Sequence, residues 1–150
     1  MKRLLCAAVA LVVLTGCGLS WQRGLELEEV VIEAQPDANG NAAVAVDVAL
    51  VVGPGIADQL AKLPASEWFR RRAQFQRDYP DSLAVLSWEL VPGQTTVGRP
   101  ERGGVTDGYL FAGYASPGDH RLRLGLEERQ LRVVLQATDF VIQGPAGEGR

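Results

Sequence analysis

A mainly β fold, a two-layer β-sandwich with a one- or two-helix insertion between its early strands, is what this 150-residue sequence predicts. Three observations carry the prediction. Val44, Val46, Val48 and Leu50 recur at a period of two, which puts them on one face of a strand and makes that face core. Ile56, Leu60 and Leu63 fall instead at helical spacing, and a second helical pattern runs from Ser66 to Tyr79 with Trp68, Phe75 and Tyr79 on one face. Short apolar runs bounded by Gly, Pro, Asn and Asp clusters then fill the chain to Gln143. About six strands with one helical insertion suit a sandwich better than a barrel.

In chain order, Leu25 to Glu33 mixes alternation with a β-branched run and reads as a strand. It stops at the turn formers Gln35, Pro36, Asp37, Ala38, Asn39, Gly40 and Asn41. The valine-rich run from Ala43 to Val52 follows, with Ala43, Ala45, Asp47 and Ala49 expected to face outward, and the two runs suggest a hairpin or neighbouring strands. Gly53-Pro54-Gly55 opens the helical insertion, residues 55–79. Ser66 is a plausible N-cap with Glu67 in the first turn, and Pro80 stops the helix after Tyr79. Arg72 sits between the aromatic residues, while Arg70, Arg71, Gln74 and Arg77 cover much of the remaining surface.

Leu83 to Val91 returns to a strand pattern. Pro92 to Gly108 reads as one long loop with five glycines, a length that is uncommon unless the loop is functional or mobile. Tyr109 to Ala115, a turn at Ser116-Pro117-Gly118-Asp119, His120 to Leu126, Leu131 to Ala137 and Phe140 to Gln143 complete a domain over 25–143, leaving 144–150 as a tail.

The N-terminus follows a different logic. Lys2 and Arg3 precede Leu4 to Leu14, an uncharged run of eleven residues that is too short to span a bilayer and of the length of a signal h-region. Leu14-Thr15-Gly16-Cys17 closes it. Small Gly16 lets a peptidase reach the following bond, and the Cys17 thiol is the only nearby nucleophile able to accept a diacylglyceryl group. This stretch resembles the lipobox of bacterial lipoproteins. Residues 1–16 are then a lipoprotein signal peptide and 17–24 a lipidated tether reaching roughly 20 Å at about 3.3 Å per residue. Each buried methylene of the diacylglycerol and N-acyl (palmitate) chains contributes about 0.8 kcal/mol, so the lipid holds the protein on a membrane. Gly18, where an Asp commonly retains such proteins at the inner membrane, favours the outer membrane, with the domain facing the periplasm.

Signal removal leaves 134 residues, enough for one domain, with 13 basic against 18 acidic side chains once Lys2 and Arg3 are gone. That balance carries no nucleic-acid footprint. Cys6 leaves with the signal and Cys17 becomes a thioether, so no disulfide is expected. Chemistry for catalysis is sparse. His120 is the only histidine and follows Asp119 in a turn, but the exported chain has no free thiol and no Gly-x-Ser-x-Gly elbow, so His120 reads as a surface or strand-start residue. A lone histidine also makes a transition-metal site improbable. The oxygen ligands at Asp37, Asn39 and Asn41 imitate a calcium loop, but its glycine would fall on Ala42 and its glutamate on Val48, so an Asn-Gly turn is the better reading. Four of the thirteen basic residues lie between Arg70 and Arg77, giving the helix a local positive field that lipid headgroups or an acidic partner would meet through Arg70, Arg71 and Arg77.

Taken with the lipobox, the turn at 36–41 leading into a valine-rich strand, the helical insertion with Trp68-Phe69 and Asp78-Tyr79, and Val91-Pro92-Gly93, the sequence resembles the outer-membrane lipoprotein of the type VI secretion system (TssJ-like). The bland valine strand and the Arg70-Arg71-Arg72 run depart from that family's pattern. The resemblance implies a non-enzymatic docking subunit, held at the outer membrane by lipid on Cys17. Its partner would be the periplasmic domain of an inner-membrane secretion component, and the family's partner-binding loop maps onto Gln35 to Asn41. A binding module of another envelope system, an inhibitor or ligand carrier using the 92–108 loop, is the competing reading.

Overall fold

The computed structural model describes residues 24–144. The expected signal segment 1–16, the expected lipidation site Cys17, the expected tether to residue 23 and the residues from 145 lie outside the described residues. Eight strands and two helices follow in order: β1 Glu29–Ala34, β2 Val44–Val51, α1 Ala57–Leu60, α2 Ala65–Asp78, β3 Leu83–Leu90, β4 Thr95–Gly98, β5 Asp107–Gly113, β6 Arg121–Arg123, β7 Gln130–Leu135 and β8 Phe140–Gln143. They form two four-stranded sheets, β4-β1-β7-β8 and β3-β2-β5-β6. The predicted sandwich with its helical insertion is therefore the observed fold.

The two sheets press their apolar faces together. Val30, Ile32, Leu131, Val133 and Leu135 from one, and Val44, Val46, Val48, Leu50 and Leu110 from the other, are buried in one continuous core. The valine face of β2 is thus core, as its period of two requires. β2's other face is not outward as expected. Asp47, Ala49 and Val51 are also buried, because α2 lies across that side with Trp68 and Phe75 against Tyr109 and Phe111 in a second cluster. An alternating pattern reports one buried face; it is silent on a helix that covers the other.

Three further expectations change. β1 and β2 are not sheet neighbours: β1 pairs with β4 and in parallel with β7, whereas β2 pairs with β3 and β5. Their apolar faces meet across the core, so the 35–43 connection crosses from one layer to the other. The expected 92–108 loop contains β4, which aligns Thr95, Thr96, Val97 and Gly98 with β1. Its sequence signal is faint, since its only large apolar residue, Val97, is half exposed on the outer face. Gly98 marks where Trp88 crosses: a β-carbon there would collide with the indole. Finally, α2 begins at Ala65 with extended Pro64 at its N-cap, placing Ser66 inside the first turn. The Ala65 amide donates to the Asp119 carbonyl instead of to a capping hydroxyl.

Strand directions give the sandwich two distinct ends. The 24–28 entry, the 99–106 loop, the 124–129 loop and Gly144 gather at one end, where the Leu25 amide donates to the Val105 carbonyl. The β1–β2, β3–β4, β5–β6 and β7–β8 connections gather at the other. Among the described residues no helix is long and apolar enough to cross a membrane.

Candidate docking surface

The loop end is built around the β1–β2 connection. After Gln35, whose amide donates to the Leu135 carbonyl, the chain makes a short 3-10 turn over Ala38–Asn41. Asn39, Gly40 and Asn41 all adopt left-handed conformations, with φ of 49°, 62° and 67°. Glycine and asparagine are the residue types that tolerate this region, which is why Asn-Gly-Asn occupies it. The Asn39 side chain fixes the turn from inside. Its Nδ2 donates to the Ala43 carbonyl at 3.0 Å and its Oδ1 accepts from the Ala115 amide at 2.8 Å. Ala38 is fully buried and pins the turn to the core, while Pro36, Asp37, Gly40 and Asn41 are exposed and Gln35 is half-buried. Of the seven candidate residues, the four exposed ones can meet a partner and Ala38 can only support them. Asn39→Ala should lose two hydrogen bonds and place a β-carbon residue without a compensating side chain in left-handed backbone. A loss of about 2 kcal/mol in chemical denaturation is expected.

The neighbouring loops are bonded to that turn and to one another. The Tyr114 hydroxyl donates to the Asp139 carbonyl at 2.8 Å and accepts from the Gln136 amide at 3.1 Å. The Asn39 amide in turn donates to the Gln136 carbonyl. His120 is buried here, not on the surface, and its backbone is left-handed at φ 42°. Its ring lies 4.9 Å from that of Tyr114. Its Nδ1 meets Asp139 Oδ1 and its Nε2 meets the Ser116 carbonyl, each at 2.9 Å. The carboxylate that orients it is therefore Asp139, 19 residues on, and adjacent Asp119 pairs with Arg121 instead. Ser116 offers His120 its carbonyl, while its hydroxyl bonds to the Thr138 carbonyl, so Ser, His and Asp come together without forming a nucleophile and base. The cluster is a clasp that joins the β5–β6 and β7–β8 loops under the β1–β2 turn. No sequence spacing announces it, and none singles out Tyr114 or Asp139.

Burial pushes the Tyr114 hydroxyl up to about 12 from 10.0, with the Gln136 amide lowering it and the Asp139 charge raising it. The folded state then keeps a proton that the unfolded chain releases near pH 10. The stabilisation is complete below pH 10 and is lost as pH rises from 10 toward 12. Unfolding midpoints should fall across that window and fall less steeply in Tyr114→Phe, as read by denaturation at stepped pH.

The arginine face of α2 carries less free charge than the sequence suggests. Arg70 and Arg71 both pair with Glu67, and Arg71 also stacks over the Phe75 ring at 4.9 Å. Arg72 turns inward to Asp47, whose carboxylate is fully buried, at 3.1 Å, and Trp68 Nε1 donates to the same group at 2.8 Å. Arg77 is exposed near the helix C-terminus, the end that approaches the chain entry. Asp47, at a strand position expected to face outward, is instead the polar centre that locks the helix to the sheet. Among the described residues no three His, Cys, Asp or Glu side chains gather as metal ligands would.

No family model and no curated protein matches the sequence. Solved structures do match the fold. A chain of a "Type VI membrane complex" superposes with a TM-score of 0.63 at 14% identity, covering 80% of this chain and 99% of that one. A chain in the structure described as "T6SS protein TssM C-terminal domain (869-1107) from EAEC" gives 0.60 at 14% identity, covering 79% and 98%. The T6SS lipoprotein TssJ1 from Pseudomonas aeruginosa gives 0.53 at 16% identity, covering 80% and 98%. The sandwich with its helical insertion is thus a fold found, nearly whole, among type VI secretion membrane-complex proteins.

Proposed function

We propose that this chain is a lipoprotein anchored to the outer membrane through Cys17 and serving as a structural docking subunit of a type VI secretion membrane complex. The observation that carries the reading is the fold likeness to such proteins, which takes in nearly all of each matched chain. Polarity of the domain supports it. The chain enters at one end of the sandwich, while the 35–41 turn lies at the other, so a lipid tether at Cys17 would aim that turn away from the membrane. The partner in this reading is the periplasmic domain of an inner-membrane component of the same apparatus. The clasp of Asn39, Tyr114, His120 and Asp139 then holds the binding surface in one shape before the partner arrives, which removes part of the ordering cost of association.

Charge reversal at the exposed turn tests this. Asp37→Lys should weaken capture of the inner-membrane component at least about tenfold, which corresponds to about 1.4 kcal/mol. Arg77→Glu on α2 should leave capture within about twofold. No loss from the change at the turn, or equal loss from both changes, would count against the turn.

A further inference from the structure

The two sheets differ in what covers them. α2 packs over β3 and β5, but the outer face of the β4-β1-β7-β8 sheet carries Val97 and Val141, which are 51% and 41% exposed. Register lays this face out as a grid. Val97, Val31 and Arg132 stand side by side in one row, and Glu33, Val134 and Val141 in the next. Glu33 and Arg132 therefore occupy one diagonal of a four-residue cell, and Val31 and Val134 the other. Neither Glu33 nor Arg132 has an ion-pair partner among the described residues, although Glu29 at the border of the same sheet is paired with Arg99.

We propose that this face is a contact between two copies of the chain. The argument is charge complementarity with a defined symmetry. A two-fold axis lying in the face along the Val31–Val134 diagonal sets Glu33 of each copy against Arg132 of the other, and Val31 against Val31. Strands of the two copies then cross at a steep angle, within the orthogonal class of sheet packing. This is an isologous contact, in which one patch is its own complement. Four strands about 4.8 Å apart, each about 17 Å long at about 3.3 Å per residue, make a face of roughly 350 Å², small against the ~800 Å² per partner of a stable complex. The pair is accordingly weak between free molecules and strengthened when both copies share one membrane. That last step rests on the anchoring proposed above; the self-complementary face does not.

The test uses the full chain in membrane vesicles, with single cysteines joined by a short bismaleimide, because sheets packed about 10 Å apart are beyond disulfide reach. Val31→Cys should give at least about ten times the cross-linked dimer of Gln74→Cys on the exposed face of α2. Adding Glu33→Arg or Arg132→Glu should lower that yield about tenfold, since like charges then face each other. Combining both reversals should restore it, which a variant that merely misfolds would not do. A Val31→Cys yield no higher than that of Gln74→Cys, or a double reversal as low as the singles, in vesicles and in solution alike overturns the proposal. Repeating the series on Cys17→Ala protein at high concentration in solution separates the two ideas. Rescue by double reversal there, without rescue in vesicles, counts against the anchored arrangement alone; no rescue in either counts against the face.

Discussion

Trp68→Ala should lower the unfolding free energy by about 4–5 kcal/mol, a large share of the ~5–15 kcal/mol that holds a typical domain folded. The indole is fully buried and stacks on Phe111 with centroids 4.7 Å apart and planes 9° from parallel. It also lies 5.9 Å from Phe75. Truncation empties the space between α2 and the sheet and at once removes the Nε1–H donor from buried Asp47. Trp68→Phe isolates the second effect: it keeps most of the packing and should cost about 1–3 kcal/mol for the hydrogen bond lost to the buried carboxylate, which then keeps only Arg72. Asp47→Ala should cost about 2–4 kcal/mol, mostly from the stranded indole N–H, because the partly exposed Arg72 can turn to water. Combining Trp68→Phe with Asp47→Ala should cost less than the sum of the two, by about 1 kcal/mol or more, in chemical denaturation. Additive losses would mean that the helix is held by apolar contact alone.

Cys17→Ala should release the protein from membranes without unfolding the domain. The proposed lipidation site lies outside the described residues, whose core begins at Leu25. Denaturation midpoints should therefore match those of the parent chain, while membrane fractionation shows loss of the outer-membrane pool and assembly of the secretion complex fails. Normal assembly by the unlipidated chain would remove anchoring from the function. Unfolding of the variant would show instead that the N-terminal segment belongs to the fold.

The class of fold was legible because a period of two and a period of 3.6 leave clear traces in Val44 to Leu50 and in Trp68, Phe75 and Tyr79. Pairing was not. β1 and β2 follow each other closely in sequence yet belong to different layers, a choice made by the parallel register of β1 with β7 about a hundred residues later. β4 escaped notice because it is short, half threonine and exposed. The exposed turn at 36–41 could be found from its residue types, since left-handed backbone demands them. What braces it could not: Tyr114, His120 and Asp139 meet only through the fold, as do Asp47 and Arg72. A charge on an apparently outward strand position carries no mark of the helix that will cover it.

In the proposed arrangement, one end of the sandwich faces the membrane and the other holds the partner. Photo-cross-linking from single positions in the full-length chain, in cells carrying the secretion apparatus, measures this directly. A photoreactive residue at exposed Asp37 should give an adduct with the large inner-membrane component, and one at Leu126, at the chain-entry end, should give none. Adducts with that component from Leu126 and not from Asp37 would overturn this arrangement.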